Sequence, residues 1–373
     1  MLGGVMVQGK NDVREAANPK RNYELDFLKL FFAVMVFWTH TSDLNFSGEK
    51  GVAMPKMLGR VAVHFFFILS GMFMARKIAA QNYDGNEPGK SAAAFVLKKF
   101  KSIFPEFTAA FLVCTTTYVA VMSKNLNDAL KTLASVIPEM LFVQNSPKEI
   151  FNEPLWYLSA MFLCMLPLAY LLYKKQDFSL HVLAPVTAVM LYMFMWHTNK
   201  NAIPLAYNFY GIVSGGIIDA VFGLCSGICA YNICVIIKRR NKSMRVMLTA
   251  AEVLIYGIFF GTWFGLRTAK TTMSVILLLP IAIAITFSGQ SYIGRLFEFK
   301  WMRFFAPLSL MIYLNHHAAQ LIVAKYFAEK SYFKSVFLMA IFTAAICSLN
   351  FIVVKVIRMS RNKRQSVFTD SNG

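Results

Sequence analysis

The sequence predicts an all-α, polytopic membrane protein with about ten transmembrane helices and both termini in the cytoplasm. Three observations carry this. Of 373 residues, 57% are hydrophobic and only 15% charged, whereas a soluble domain is nearer half apolar and a quarter charged. Too little polar surface remains to cover a soluble globule, and disorder is excluded by the same numbers. The apolar residues come in runs of the roughly 20 residues that a spanning helix needs, not in the short alternating strands of a β-barrel. Finally, with the N-terminus placed inside, the inward segments hold 25 of the 38 Lys+Arg and the outward segments 12, with Lys29 inside the first run. That bias is the positive-inside signature. It also accounts for the net charge of +19, which in a soluble chain would point to nucleic acid.

Residues 1–24 form a polar tail without the apolar core and small-residue site of a cleavable signal. Ten runs follow, near 25–45, 58–75, 102–122, 155–173, 180–196, 208–237, 246–264, 271–288, 304–323 and 335–357. An even number returns the chain to its starting side, in agreement with the basic tail 358–373. The membrane domain is thus expected over 25–357. The fourth run carries Pro167 and the eighth Pro280, which spanning helices tolerate when neighbours satisfy the freed carbonyls. The sixth is long and glycine-rich and is expected to bend or break. The inner loop 76–101 is basic around a Gly/Asp/Asn/Pro centre, and the outer loop 123–154 is expected to hold a short helix before Pro147.

Gly257, Gly261 and Gly265 form a small-residue stripe that predicts close helix packing, as do Gly223 and Gly227. The phenylalanines are expected to face lipid. Trp38, Trp156, Trp196 and Trp263 suit an outer aromatic belt. The six cysteines, Cys114, Cys164, Cys225, Cys229, Cys234 and Cys347, all lie in apolar runs without metal-ligand spacing and read as packing residues.

Ionisable groups at bilayer depth mark function by default. Asp26, Lys29, Asp43 and Glu252 are expected to reach solvent, and His64, Asp219 and His317 join the candidates. His40 and His316 lie deeper. His40 is about 15 residues into the first run, or roughly 22 Å, and His316 about 12 residues into the ninth, or roughly 18 Å. Both runs enter from the same side, so the two rings meet if their helices are neighbours. Each alone serves equally well as a hydrogen-bonded structural histidine. Asp43 follows His40 by three residues and so shares its helix face, where a carboxylate fixes the tautomer of a general base. Lys29 precedes His40 by three turns on nearly the same side. A cation at the cytoplasmic mouth and a base deeper in suit a long anionic donor, and Lys98, Lys99 and Lys101 add to that mouth. A solvated positive flank explains those three equally well.

Four stretches carry a family resemblance. The first is Asn22-Tyr23-Glu24-Leu25-Asp26-Phe27-Leu28-Lys29 running on to His40, with ten residues between cation and histidine. The second is Phe65-Phe66-Phe67-Ile68-Leu69-Ser70-Gly71-Met72-Phe73. The third is Lys98-Lys99-Phe100-Lys101-Ser102-Ile103-Phe104-Pro105. The fourth joins Leu155-Trp156-Tyr157-Leu158 to Ser309-Leu310-Met311-Ile312-Tyr313-Leu314-Asn315-His316. In this order, over about 300 residues, they resemble the integral-membrane acyltransferase family 3, which O-acylates sugars and related acceptors. Ser102 stands where an arginine is common, His64 where many members have Asp or Pro, and Met161 where one branch has Glu.

The resemblance implies a membrane O-acyltransferase of a bacterial cell membrane, moving an acyl group, usually acetyl, from cytoplasmic acyl-CoA to a hydroxyl of a surface glycan, exopolysaccharide or lipid-linked sugar. It implies His40 as base, with His316 and Asp43 beside it. Lys29, Lys98, Lys99, Lys101 and Ser70 would hold the donor, and Trp156, Tyr157, Tyr313 and Asn315 the acceptor. Acyl-CoA is a co-substrate, with no tightly bound cofactor or metal implied. Membrane lipid and a carbohydrate are the implied partners, with no nucleic acid. A flippase for a polar lipid-linked sugar is the alternative, using the same polar cavity without chemistry.

Overall fold

The computed structural model describes residues 21–44, 56–81, 83, 85–140, 155–198, 208–209, 213–239, 244–264, 269–327 and 331–370. Among them the protein is all-α, apart from a two-residue antiparallel pair in which Asn208 faces Ser214 and Phe209 faces Val213. Ten helical segments coincide with the ten runs: α1 (Tyr23–His40), α2 (Lys56–Ala79), α3 (Pro88–Met122), α4 (Trp156–Lys174), α5 (Ala184–Thr198), α6 (Gly215–Arg239), α7 (Arg245–Phe264), α8 (Ala269–Ser288), α9 (Phe305–Tyr326) and α10 (Tyr332–Asp370).

Local chemistry sets several ends. Asn22 caps α1 by accepting from the Leu25 amide at 3.0 Å, which satisfies a donor that the first turn leaves orphaned. Glu87 adopts a left-handed conformation (φ 53) and Pro88 opens α3, where its missing amide costs nothing. The turn Ser179–Leu183 before α5 is a π-helix, and Asn232 of α6 donates to its Leu180 carbonyl at 2.5 Å. The outer loop holds helices at Leu126–Ser135 and Ile137–Met140. α10 runs on to Asp370.

Seven of these segments are long and apolar enough to cross a membrane, spanning 59–79, 88–122, 156–174, 176–197, 215–239, 270–288 and 332–359. The protein is a multi-pass membrane protein. α1 falls outside the seven because Glu24, Asp26 and Lys29 share its first turns, and α9 because Asn315, His316, His317 and Gln320 interrupt it.

The centre of the bundle is the pair α2–α6. α6 is one unbroken helix rather than a broken one. Its glycines serve close approach: a Cβ on Gly223 would lie 2.4 Å from the Phe67 Cβ, and one on Gly227 would lie 2.0 Å from the Ile68 carbonyl oxygen. Gly257 and Gly261 do not repeat this, because a Cβ there meets nothing within 4 Å. Gly265 lies outside the described residues. The aromatic rings differ from expectation as well. Phe32, Phe65, Phe67, Phe107, Phe222 and Phe259 are fully buried, since stacked and edge-on rings fill the space between helices.

Candidate active site

α1 and α9 pack along each other and bring His40 and His316 together, with ring centroids 5.0 Å apart. His316 is fully buried. Its Nδ1 lies 3.0 Å from the Ile312 carbonyl, which can only accept, so Nδ1 carries the proton. Nε2 then carries the lone pair and is buried without a hydrogen-bond partner. The neighbouring polar groups are tied down. His317 Nδ1 meets Gln320 Oε1 at 2.9 Å, and the Asn315 amide donates to the Met311 carbonyl at 2.8 Å. Asn350 of α10 donates to Asn315 Oδ1. Asn315 therefore bridges α9 to α10.

A cavity of about 230 Å³ opens between α1, α2, α3, α4 and α9. Lys29, Ser70, Lys99, Tyr157 and Tyr313 line it, and its remaining walls are mostly apolar. The Ser70 and Tyr157 hydroxyls stand 3.4 Å apart inside it. Lys29 is held 3.2 Å from Asp26, which also takes Arg21 at 2.6 Å, and its ammonium lies 5.6 Å from the Phe73 ring centroid. Tyr313 joins the two parts of the site. Its ring lies 5.6 Å from that of Tyr157 and 6.2 Å from that of His316. The histidine pair stands beyond Tyr313 and is not part of the cavity wall.

The structure therefore gathers Lys29, Ser70, Lys99, Tyr157 and Tyr313 in one space and sets His40 and His316 behind it. Lys98 and Lys101 project into the surroundings instead. At 100° per residue only one of three neighbouring lysines can share the cavity face with Ile103, and that is Lys99. Trp156 packs against Gly216 and Phe67 rather than the cavity. The Asp43 side chain lies outside the described residues.

Two further polar clusters were visible in the sequence only as isolated residues. Asp219 takes Arg60 at 3.1 Å and faces His64 at 3.6 Å, all between α2 and α6. The i, i+4 spacing of Arg60 and His64 was the available signal. Asp26 and Glu252, expected to reach water, are buried. Glu252 accepts from Thr286, and Glu24 is buried as well. The short helix Ile293–Phe297 lies over them, with Phe27 and Phe297 rings 4.9 Å apart.

Comparison with known proteins gives this arrangement a family. Residues 22–357 match the acyltransferase domain family that the motifs resemble. The chain is similar to the acyltransferase MdmB of Streptomyces mycarofaciens, 30% identical over 159 residues, which is 40% of this chain and 39% of that protein. The chain thus spans about two fifths of that relative's length. No solved structure matches. The chain belongs to the acyltransferase domain family, a family of acyl-transferring enzymes.

Proposed function

We propose that the protein is a membrane O-acyltransferase. It takes an acyl group, acetyl in the simplest case, from cytoplasmic acyl-CoA. It delivers the group to a hydroxyl of a surface glycan, exopolysaccharide or lipid-linked sugar in a bacterial cell membrane. All ten segments span, with both termini in the cytoplasm and the membrane domain over 25–357. The observation that carries this reading is the cavity with two lysines in its wall, joined through Tyr313 to the His40–His316 pair.

A sugar hydroxyl is a poor nucleophile and needs its proton removed as it attacks. His40 takes that proton, with His316 beside it and Asp43 orienting the ring. The new C–O bond forms at the thioester carbonyl, the C–S bond breaks, and the proton passes from imidazolium to the departing thiolate. Lys29 and Lys99 neutralise donor phosphate near the mouth. The Ser70 and Tyr157 hydroxyls contact the thioester arm, and Tyr313 lies between donor and base. Trp156 and Asn315 shape the acceptor side through packing. Holding both substrates in line supplies much of the acceleration.

The test uses purified membranes, radiolabelled acetyl-CoA and a panel of glycans and lipid-linked sugars. Label should appear on an acceptor hydroxyl and depend on His40. Full transfer by the His40→Ala variant removes the assigned base. Movement of a lipid-linked sugar without acyl-CoA, and with no acylated product, replaces the reading by the flippase.

A further inference from the structure

At the end of the bundle where α1 begins, basic side chains from three helices converge on two touching rings. Phe73 of α2 and Phe287 of α8 meet edge to face, with centroids 5.7 Å apart and planes at 75°. Lys29 lies over Phe73, whose ring is part of the cavity wall. Arg76 of α2 lies 5.1 Å from the Phe287 centroid, and Lys238 of α6 lies 5.7 Å from the same centroid.

Basic residues in a last helical turn are usual, since they complement the carbonyl end of the helix. That accounts for their sequence positions but not for their directions. Each belongs to an adjacent basic pair, Arg76 with Lys77 and Lys238 with Arg239. Lys77 and Arg239 are exposed, while Arg76 and Lys238 are half-buried and turn onto the same ring. Each cation–π contact is a modest gain at such sites. Crowding several like charges onto one spot opposes that gain, and an anion placed among them relieves it.

The cavity supplies a second, independent argument. At 230 Å³ it is below the usual ~300–1,000 Å³ of small-molecule sites. It takes an acylated thioester arm but cannot enclose a whole nucleotide thioester. The nucleotide must lie outside, with the diphosphate that joins it to the arm at the Lys29 and Lys99 mouth and the nucleotide's own phosphate further out, beyond Phe73, where Arg76 and Lys238 stand.

We propose that Arg76, Lys238 and the Phe287 ring form the binding point for the phosphorylated nucleotide end of the donor. The guanidinium and ammonium hold phosphate, and Lys29 and Lys99 serve the part nearer the sulfur. This rests on the acyl-CoA reading above and gives that donor a second anchor. Arg76 offers the forked geometry that phosphate favours, and Lys238 a point charge.

The test measures equilibrium binding of CoA, dephospho-CoA and pantetheine to the full-length protein in nanodiscs, for the wild type, Arg76→Gln, Lys238→Gln and the double variant. Lys77→Gln and Arg239→Gln serve as exposed controls. Each inward substitution is expected to raise the Kd for CoA about 10-fold, the worth of one charge-assisted contact. Pantetheine binding and the melting temperature stay unchanged, and the controls stay within about twofold. If Arg76→Gln fails to fold, Lys238→Gln and Arg76→Lys carry the same comparison. CoA binding that is tight and equal in the wild type and the double variant overturns this anchor while leaving the transferase reading intact. A wild type that neither binds CoA nor transfers acetyl from it overturns both.

Discussion

The α2–α6 contact offers a sharp mechanical test through Gly227→Ala. The new Cβ would stand 2.0 Å from the Ile68 carbonyl oxygen and 2.7 Å from the Met72 amide nitrogen. Both are backbone atoms, so no side-chain rotation relieves the clash. Ordinary contact between heavy atoms is about 3.5–4.0 Å, so the helix axes must separate by more than about 1 Å. Overpacking of this kind costs roughly 1–3 kcal/mol, against about 1 kcal/mol gained from alanine's helix propensity. The larger effect falls on activity. Ser70, Phe66 and Phe73 line the cavity from the opposite face of α2. Pushing that helix moves them by a similar distance, and a misplacement of about 1 Å costs on the order of 10²-fold in rate. Gly257→Ala is the control, because its Cβ meets nothing within 4 Å. The assay pairs thermal unfolding by fluorescence-detected gel filtration with acetyl transfer in the same membranes. Gly227→Ala should lose most activity with a modest fall in melting temperature, and Gly257→Ala neither. Equal stability and activity in the two variants would refute the reasoning.

Three other outcomes follow from the site. His40→Ala should slow transfer by about 10²–10⁴, leaving CoA affinity unchanged in equilibrium binding because the ring lies beyond the cavity wall. Lys99→Gln should raise the KM for acyl-CoA about 10-fold with kcat nearly constant, whereas Lys98→Gln and Lys101→Gln should do neither; steady-state kinetics on matched membranes decides it. Asp219→Ala strands Arg60 and His64 at a position where the side chains are 15% and 2% exposed. It should cost about 3 kcal/mol and lower the melting temperature visibly, an effect that Asp219→Asn should partly reverse.

Much of the architecture was legible because bilayer thickness sets helix length. Each apolar run of the sequence has a helix in the structure, but α3 starts about 14 residues before its run, inside the expected inner loop 76–101, and α10 ends about 13 residues after its run. The meeting of His40 and His316 was legible for a similar reason, since equal depth on two helices needs only adjacency to become contact. Direction around a helix was not legible. Nothing local distinguishes Lys99 from Lys98 and Lys101 until α4 packs on one face of α3, where Phe162 meets Phe100 with centroids 5.6 Å apart. The burial of Glu24 and Glu252 was hidden likewise, because the turns Ile293–Phe297 and Lys300–Phe304 carry no periodic apolar signal yet fold across the start of α1. Motif resemblance located Trp156 and Asn315 in the chain but not where they point. One packs beneath Gly216, and the other spends its amide on α9 and α10.

The two helices that supply the histidines are among those too polar to count as spans by composition. That follows from where they sit. α9 is buried almost continuously from Tyr313 to Leu321. Lipid therefore exacts no hydrophobicity from that stretch, and its polar groups need only be satisfied internally. Most are, His316 Nδ1 by Ile312, His317 by Gln320, Asn315 by Met311 and Asn350, which leaves His316 Nε2 as the buried atom without a hydrogen bond. The helices outside meet the lipid and stay apolar, as the exposed Phe337, Ile341, Phe351 and Ile352 of α10 do. A hydropathy criterion thus passes over α1 and α9, while it still selects α2 and α6, whose buried faces are largely apolar. α1 and α9 can carry His40, His316 and their polar neighbours only where other helices keep them from lipid.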